Sequence, residues 1–280
     1  MKNAVLMLEE SKQKLSNTEK NAAEYILSNT KAASEMNIQE LAQATFTSAS
    51  TLYRMCRNMG FQGYKDFRRS LIYAMFLRDQ NQSRESAEIL RSDSMEDIID
   101  KVSVRNITAI EDSRHLIDPV TLMKCVELVQ NAHTVLLFGI GASFCAAKDA
   151  HLKFLRINKP CNINEDWHSQ LLMARNARPD DMGIVISYSG ETREIVECMD
   201  AMRENHTPIV AITRFTKTPV SKRADYKLYT AANEATFRSG AMSSRISQLN
   251  VIDILYTAYV NSRFDESQKQ FSKTHINKTT

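Results

Sequence analysis

Five short apolar runs, separated by helical segments, constrain the fold of this chain more than any other feature of its sequence. The runs are Thr134–Phe138, Pro160–Ile163, Ile184–Ile186, Ile209–Thr213 and Lys227–Thr230, and the third has the β-branched content of a buried strand. Runs of this length and composition are typical of buried strands. Because strands that alternate with helices pair in parallel, we predict an α/β sandwich with a five-stranded parallel sheet. Ligands of such sheets bind beyond the carboxyl ends of the strands.

The third run ends in a loop of small and hydroxylated residues. Ser187, Ser189, Gly190 and Thr192 follow the run, and a helical segment begins at about Arg193. A helix N-terminus behind such a loop adds roughly half a positive charge. Together with the hydroxyls and N–H groups, this suits a phosphate-sized anion. The same residues also fit an ordinary turn in which Ser and Thr cap the helix, and this loop alone does not separate the two interpretations.

A second loop of the same kind follows the first run. Its sequence is Gly139-Ile-Gly141-Ala-Ser143, which superficially suggests a dinucleotide-binding fingerprint. However, Phe144 stands where the third glycine of that fingerprint is expected, and neither loop supplies the lysine of a P-loop. We therefore expect no nucleotide, no other cofactor and no metal. Two strand ends that offer hydroxyls and N–H groups suit a sugar phosphate better than a nucleotide.

The first 78 residues have a helical pattern throughout. Ser16, with Glu19 three residues later, predicts a capping box at a helix start. Further along, the pattern has the spacing of a helix-turn-helix. It predicts a short helix over 38–43, a turn over 45–48 and a second helix at about Ala49–Met59 that ends at Gly60. A small helical bundle would have the same periodicity. Four apolar residues would pack between the two helices: Leu41, Leu52, Met55 and Cys56.

In a helix-turn-helix the second helix enters the major groove of DNA by its N-terminal residues. Basic residues follow at this point with only Asp66 among them, as binding to the phosphate backbone requires, although a solvated helix face would look the same. The predicted DNA-contacting residues are Ser48, Ser50, Thr51, Tyr53, Arg54, Arg57 and Lys65.

The middle of the chain links these two regions. Residues 79–93 are polar and predict a hinge. A helix from about Met95 to His115 follows, with an apolar face suited to the next domain or to a second subunit, and Asp118-Pro119 starts another helix that runs to about Asn131. We predict a helix-turn-helix domain over 1–78, a linker and connecting helix over 79–118, a sandwich domain over 119–264 and a tail over 265–280.

Composition indicates the cellular compartment of the protein. The apolar runs are too short to cross a bilayer, and the first residues lack the pattern of a signal peptide. The five cysteines are scattered and odd in number, so neither a disulfide framework nor a zinc site is indicated. The net charge of +3 arises within the first 80 residues. We expect a cytoplasmic protein without membrane contact.

Several of these segments resemble known families. Residues 1–78 resemble the N-terminal domain of RpiR-type bacterial transcription regulators. The segments that carry this resemblance are Ile38-Gln-Glu-Leu-Ala, Ser48–Arg54 and the run Gly60-Phe61-x-Gly63-Tyr64 followed by Phe67. The two hydroxyl-rich loops, about 45 residues apart and each after a strand, resemble the sugar isomerase (SIS) domain over about 120–260. This resemblance implies a flavodoxin-like fold that binds phosphorylated sugars.

The resemblance also implies roles for particular residues. Ser143, Ser187, Ser189 and Thr192 would hold the phosphate, and Gly141 would belong to the same sugar-phosphate-binding site. Three further candidates have open alternatives. His168 would reach the sugar or lie on the surface, Glu234 would accept from a sugar hydroxyl or be exposed, and Arg245 would bind ligand or form a salt bridge at a dimer contact.

Two functions fit these features. The first is a regulator of genes for carbohydrate or amino-sugar catabolism, without enzymatic activity, whose partners are double-stranded operator DNA, a phosphorylated sugar effector and further copies of the chain in a homodimer or higher oligomer. The second is an aldose–ketose phosphate isomerase in which Glu234 and His168 supply the acid and base. Because a helix-turn-helix is fused to the sandwich, we favour the regulator.

Overall fold

The computed structural model describes residues 4–11, 15–72, 74, 89–232 and 241–276. The chain divides into two compact units, Met1–Glu88 and Ile89–Thr280. Each unit has a hydrophobic core of its own.

The first unit is helical. Its helices are α1 (Ala4–Ser11), α2 (Asn17–Ser28), α3 (Thr30–Glu35), α4 (Ile38–Ala44), α5 (Ala49–Asn58) and α6 (residues 64–72). The predicted capping box is confirmed, since the Ser16 hydroxyl accepts from the Glu19 N–H and the Glu19 carboxylate accepts from the Ser16 N–H. Asn37 caps α4 in the same way through Glu40.

The helix-turn-helix is formed by α4, the turn over 45–48 and α5. The Ser48 hydroxyl caps α5 by accepting from the Thr51 N–H at 3.1 Å. At the other end of α5, Gly60 has a φ of +82°. The Gly60 N–H donates to Arg57 and the Phe61 N–H donates to Cys56, which is the Schellman arrangement that ends a helix. The four apolar residues predicted to pack between these helices are all buried, as expected: Leu41, Leu52, Met55 and Cys56.

The second unit contains the predicted five-stranded parallel sheet. Its strands are β1 (Val135–Phe138), β2 (Cys161–Ile163), β3 (Met182–Ile186), β4 (Ile209–Arg214) and β5 (Tyr226–Thr230), and all neighbouring pairs are parallel. Their spatial order is β2-β1-β3-β4-β5. The prediction of an α/β fold with this strand content is confirmed.

Helices cover both faces of this sheet. They are α7 (Met95–Leu116), α8 (Pro119–Asn131), α9 (Ala142–Arg156), α10 (Trp167–Arg175), α11 (Arg193–Glu204), α12 (Pro219–Arg223), α13 (Ser243–Ser262) and α14 (Phe264–Lys273). One core joins the sheet to α8, α9 and α13. A separate core joins the opposite face to α10, α11 and α12.

The long helix α7 is the first helix of the second unit. Its start is fixed by a capping box between Ser94 and Asp97. Four of its 22 residues are buried, namely Arg105, Ala109, Ser113 and Leu116. Within the described part of the chain, no helix combines the length and apolar content required to cross a bilayer.

Candidate functional site

The two hydroxyl-rich loops follow neighbouring strands. β1 and β3 lie side by side, with Phe138 opposite Val185, and β2 lies on the other side of β1. The strand order therefore reverses between β1 and β3, and α9 and α11 leave on opposite faces of the sheet. In open α/β sheets such a reversal creates a ligand-binding crevice between the two loops.

Gly139 fixes the start of the first loop. A Cβ at this position would lie 2.8 Å from the Ser143 carbonyl oxygen, which no real side chain tolerates. The fully buried side chain of Gln170 holds the same residue, because its amide donates to the Gly139 carbonyl at 2.9 Å and its oxygen accepts from the Gly139 N–H at 3.3 Å. Gly141 then turns the chain into α9 with a φ of +60°. The loop is thus shaped before any ligand binds.

Ser143 lies in the first turn of α9 and is positioned from another helix. The amide of Gln248 in α13 donates to the Ser143 hydroxyl oxygen at 3.0 Å, and Gln248 is itself buried. Because the oxygen of Ser143 already accepts a hydrogen bond, its O–H is available to donate to an anion in the crevice. Gln248 was not predicted as a site residue.

The second loop brings three hydroxyl-bearing residues together. Ser187 is almost completely buried, and its hydroxyl oxygen lies 3.4 Å from that of Thr192. The Ser189 hydroxyl accepts from the Glu191 N–H at 3.3 Å. Ser187, Ser189 and Thr192 therefore line one loop at the N-terminus of α11, as their spacing indicated.

Neither helix behind the loops is capped by a side chain. Thr192 is the N-cap residue of α11, yet its hydroxyl accepts no hydrogen bond from the helix, and Gly141 has no side chain with which to cap α9. The interpretation of the 187–192 loop as a plain Thr-capped turn is therefore wrong for Thr192. The N-termini of the two helices, with the positive ends of their dipoles, follow neighbouring parallel strands at the same edge of the sheet, which favours an anion there.

Gly190 is required at the back of the second loop. Its φ is +68°, and a Cβ there would lie 2.2 Å from the hydroxyl oxygen of Thr218. The carbonyl of Gly190 accepts from the Val220 N–H at 3.1 Å in the first turn of α12. The loop is thus packed directly against α12.

Tyr188 was also missing from the predicted site. Its hydroxyl donates to the Ala232 carbonyl at 2.8 Å, just beyond β5. Its own carbonyl accepts from the Arg214 N–H at 3.2 Å, at the end of β4. Tyr188 thereby ties the second loop to both strands on that side of the sheet.

The three candidates with open alternatives are placed differently. His168 is exposed in the first turn of α10, where Asp166 caps the helix. The N–H of Ser169 donates to that cap and holds the pKa of Asp166 below its usual value. Arg245 is partly buried in the first turn of α13, one turn before Gln248. Glu234 lies outside the described residues.

Two buried cysteines of the second unit are not suited to nucleophilic chemistry. Burial raises the pKa of Cys198, in α11, to about 12. Burial likewise raises the pKa of Cys125, in α8, to about 12. Both thiols are therefore neutral at physiological pH.

The first unit presents a polar face on α5. Ser50, Tyr53, Arg54 and Arg57 recur at the helical period opposite the buried face of this helix. The hydroxyls of Ser48 and Ser50 are 2.8 Å apart, and that of Thr51 is 2.9 Å from Ser48.

Two of the predicted DNA contacts also have packing roles. The Tyr53 ring lies against Gly63, whose Cβ would be 3.0 Å from it, and one guanidinium nitrogen of Arg57 donates to the Gln62 carbonyl at 3.3 Å. Arg54 and Lys65 are exposed. The predicted residues thus lie at the N-cap and along the exposed face of α5 and at the start of α6.

Comparison with known proteins identifies both units. Residues 2–75 match the helix-turn-helix domain of the rpiR family, and residues 128–258 match the SIS domain. The HTH-type transcriptional regulator YbbH of Bacillus subtilis, which is described as uncharacterized, is 34% identical over 96% of this chain and 94% of its own length. HexR of Pseudomonas aeruginosa, an HTH-type transcriptional regulator, is 32% identical over 92% of this chain and 89% of its own.

A solved structure extends the comparison to a bound ligand. The NanR protein of Vibrio vulnificus, solved in complex with ManNAc-6P, is 27% identical, covers 97% of this chain and 96% of its own, and superposes with a TM-score of 0.60.

Proposed function

Because this chain belongs to the RpiR family of helix-turn-helix transcriptional regulators, we propose that it binds operator DNA and that a phosphorylated sugar in the SIS domain modulates this binding. α5 presents its N-terminal hydroxyls and Arg54 to the major groove. The controlled genes serve carbohydrate or amino-sugar catabolism, and the protein acts in the cytoplasm. A two-fold homodimer would match an inverted-repeat operator.

One observation carries the ligand assignment. The helices α9 and α11 both start without a side-chain cap after the neighbouring strands β1 and β3, and their loops carry the hydroxyls of Ser143, Ser187 and Thr192. Such an arrangement binds a phosphate dianion through N–H and O–H donors without a lysine. The ManNAc-6P complex of NanR supports a phosphorylated hexose or N-acetylhexosamine as the ligand class.

The role we propose is sensing rather than catalysis. Curated relatives that are 32–34% identical over most of this chain are described as HTH-type transcriptional regulators, and this favours regulation over the isomerase alternative. An isomerase needs a general base close to the sugar carbons. The hydroxyls and amides of the two loops bind a phosphate but do not remove a proton from carbon.

A binding experiment tests both halves of this proposal. We expect the purified protein to shift DNA from upstream of its own gene, and a hexose or N-acetylhexosamine phosphate to change that affinity. The same compound should also raise the midpoint of thermal unfolding. At a concentration 100 times its Kd, it should add roughly 2.7 kcal/mol to the free energy of unfolding. The unphosphorylated sugar is the control. If millimolar sugar phosphates alter neither DNA affinity nor thermal stability, the sensor role is wrong.

Hydrogen bonds within the second unit supply a path from the effector crevice to α7. Tyr188 of the second loop reaches Ala232. The preceding residue, Ala231, receives a hydrogen bond from the Ser247 hydroxyl at 2.6 Å and donates its N–H to the Ser113 hydroxyl at 2.9 Å. Ser113 belongs to α7, and both serines are fully buried.

The first loop reaches the same place by a second route. Gln248 contacts Ser143 in the crevice, and its neighbour Ser247 contacts Ala231 and the Ala109 carbonyl of α7. Both effector loops are therefore bonded to one buried cluster on α7. Since the chain enters the second unit through α7, we infer that ligand binding acts on the DNA-binding unit by biasing the position of this helix.

Removing only the hydroxyl of Tyr188 should separate binding from response. In Tyr188→Phe we expect effector affinity within about threefold of the parent, because one hydrogen bond is worth about 1 kcal/mol and this one does not touch the ligand. The change that effector causes in operator affinity should fall by at least about half. Isothermal titration measures the first quantity, and operator titration with and without effector measures the second.

Tyr256→Phe is the matched control. Tyr256 lies in α13, two turns beyond Gln248, and its ring packs edge-on to that of Phe154 in α9. It should leave both quantities unchanged. A full effector response in Tyr188→Phe would show that coupling takes another path.

A further inference from the structure

Phe46 occupies a position whose backbone conformation favours glycine. It lies in the turn between α4 and α5, with a φ of +51°. The turn is held by the chain itself, since the Phe46 N–H donates to the Gln43 carbonyl at 3.2 Å and the Thr47 N–H donates to the Ala42 carbonyl at 2.9 Å. A bulky residue in this region is an outlier, because its Cβ crowds the backbone, whereas Gly or Asn is readily accepted.

The ring of Phe46 contributes nothing to the core of the first unit. Its side chain is 96% exposed, the highest value among the large apolar residues of the described chain. The residue is therefore unfavourable in the free protein in two ways, by its backbone conformation and by its exposed ring. A local outlier of this kind indicates a role in binding rather than in folding.

The place of the turn identifies the partner. Phe46 lies two residues before Ser48, the N-cap of α5, and the exposed hydroxyl cluster of Ser48, Ser50 and Thr51 follows directly. In a helix-turn-helix this end of the second helix meets the base edges of the major groove. Thymine presents a methyl group there, and aromatic side chains contact it.

We propose that Phe46 contacts operator DNA through its ring, with a thymine 5-methyl group as the apolar partner. The contact gives the regulator a means of reading a T·A pair beside the bases read by α5. This inference rests on the proposed DNA-binding function, and the tests below distinguish failure of one from failure of the other.

Two substitutions that suit a positive φ separate a binding role from a structural one. Phe46→Gly and Phe46→Asn both remove the ring and relieve the backbone, so the midpoint of thermal unfolding should be no lower than that of the parent. Operator affinity should nevertheless fall, by about fourfold for each methyl-sized apolar group that the ring no longer covers and more in a dimer with two half-sites. Ile276→Asn, which removes another highly exposed apolar side chain, should change neither quantity.

Replacing thymine by deoxyuracil throughout the operator fragment removes the methyl groups alone. The parent protein should bind this DNA less tightly, and the affinity of the two Phe46 variants should fall measurably less, because they have no ring to contact a methyl group. The parent must first bind the unmodified fragment; if it does not, the DNA-binding function itself is wrong. If the parent binds and the variants bind equally well, the proposed role of Phe46 is wrong. An equal fall in affinity on deoxyuracil DNA for parent and variants overturns the thymine contact.

Discussion

A single methyl group added in Gly190→Ala should abolish effector binding. The added Cβ would lie 2.2 Å from the Thr218 hydroxyl oxygen and 3.0 Å from that of Thr213, so the loop must move away from β4 and α12. It also forces an alanine into a φ of +68°, at a cost of about 1–2 kcal/mol. Ser189 and Thr192 move with the loop. We expect the sugar-phosphate affinity to fall at least about 100-fold, as measured by titration calorimetry.

Gly141→Ala is the matched control for the steric part of this effect. Gly141 has a similar φ of +60°, but a Cβ there meets nothing within 4 Å. Both variants should be destabilised by the backbone strain, and only Gly190→Ala should be destabilised further by the clash. An unchanged midpoint of unfolding in Gly190→Ala would contradict the packing of Gly190 against Thr218. DNA binding without effector should survive in both, because the substitutions lie in the second unit.

The second large effect is expected at Arg54. Arg54→Ala removes an exposed guanidinium from the outward face of α5. We expect operator affinity to fall by roughly tenfold or more, and the slope of log affinity against log salt to become shallower by about 1 for each phosphate that the protein no longer neutralises. Fluorescence anisotropy over a series of salt concentrations measures both.

Arg175→Ala provides the control for charge alone, because Arg175 is exposed in the second unit. It should leave the salt slope unchanged. Effector affinity should stay the same in Arg54→Ala. If effector affinity and operator affinity fell together in Arg54→Ala, a folding defect would explain both. An operator affinity and a salt slope equal to those of the parent would refute the DNA contact. Arg57 is a less clean choice, since it also donates to the Gln62 carbonyl.

The elements of this fold follow from local sequence signals. Short segments between helical stretches predicted all five strands, and hydroxyl or amide residues followed three positions later by Glu mark the starts of α2 and α4. These signals act over a few residues, and so they are visible in one sequence. The order β2-β1-β3-β4-β5 is not, because an apolar run carries no information about which strand lies beside it. The common edge of the two loops could be predicted, but their direct adjacency could not.

The supporting residues of the site were missed for a related reason. Gln170 reaches Gly139 across 31 residues and Gln248 reaches Ser143 across 105. The available signal was a glutamine on the apolar face of a helix, as Gln248 stands one turn before Ile252. A buried amide needs partners, and such a position therefore predicts a long-range hydrogen bond. Tyr188 offered no such signal, because a tyrosine in a strand-end loop is common.

The small buried residues of α7 bear on how much metabolite the protein requires to respond. Ala109 and Ser113 make the contacts with Ala231 and Ser247, and few large apolar side chains of α7 are buried. A helix attached in this way can be displaced at modest cost. An effector present at 100 times its Kd supplies only about 2.7 kcal/mol. Ala109→Leu or Ser113→Leu would place a large side chain at the contact with Ala231 and Ser247. We expect the operator affinity of these variants to be the same at every effector concentration. In the proposed switch, the small size of these side chains would let effector concentrations that a cell can produce displace α7.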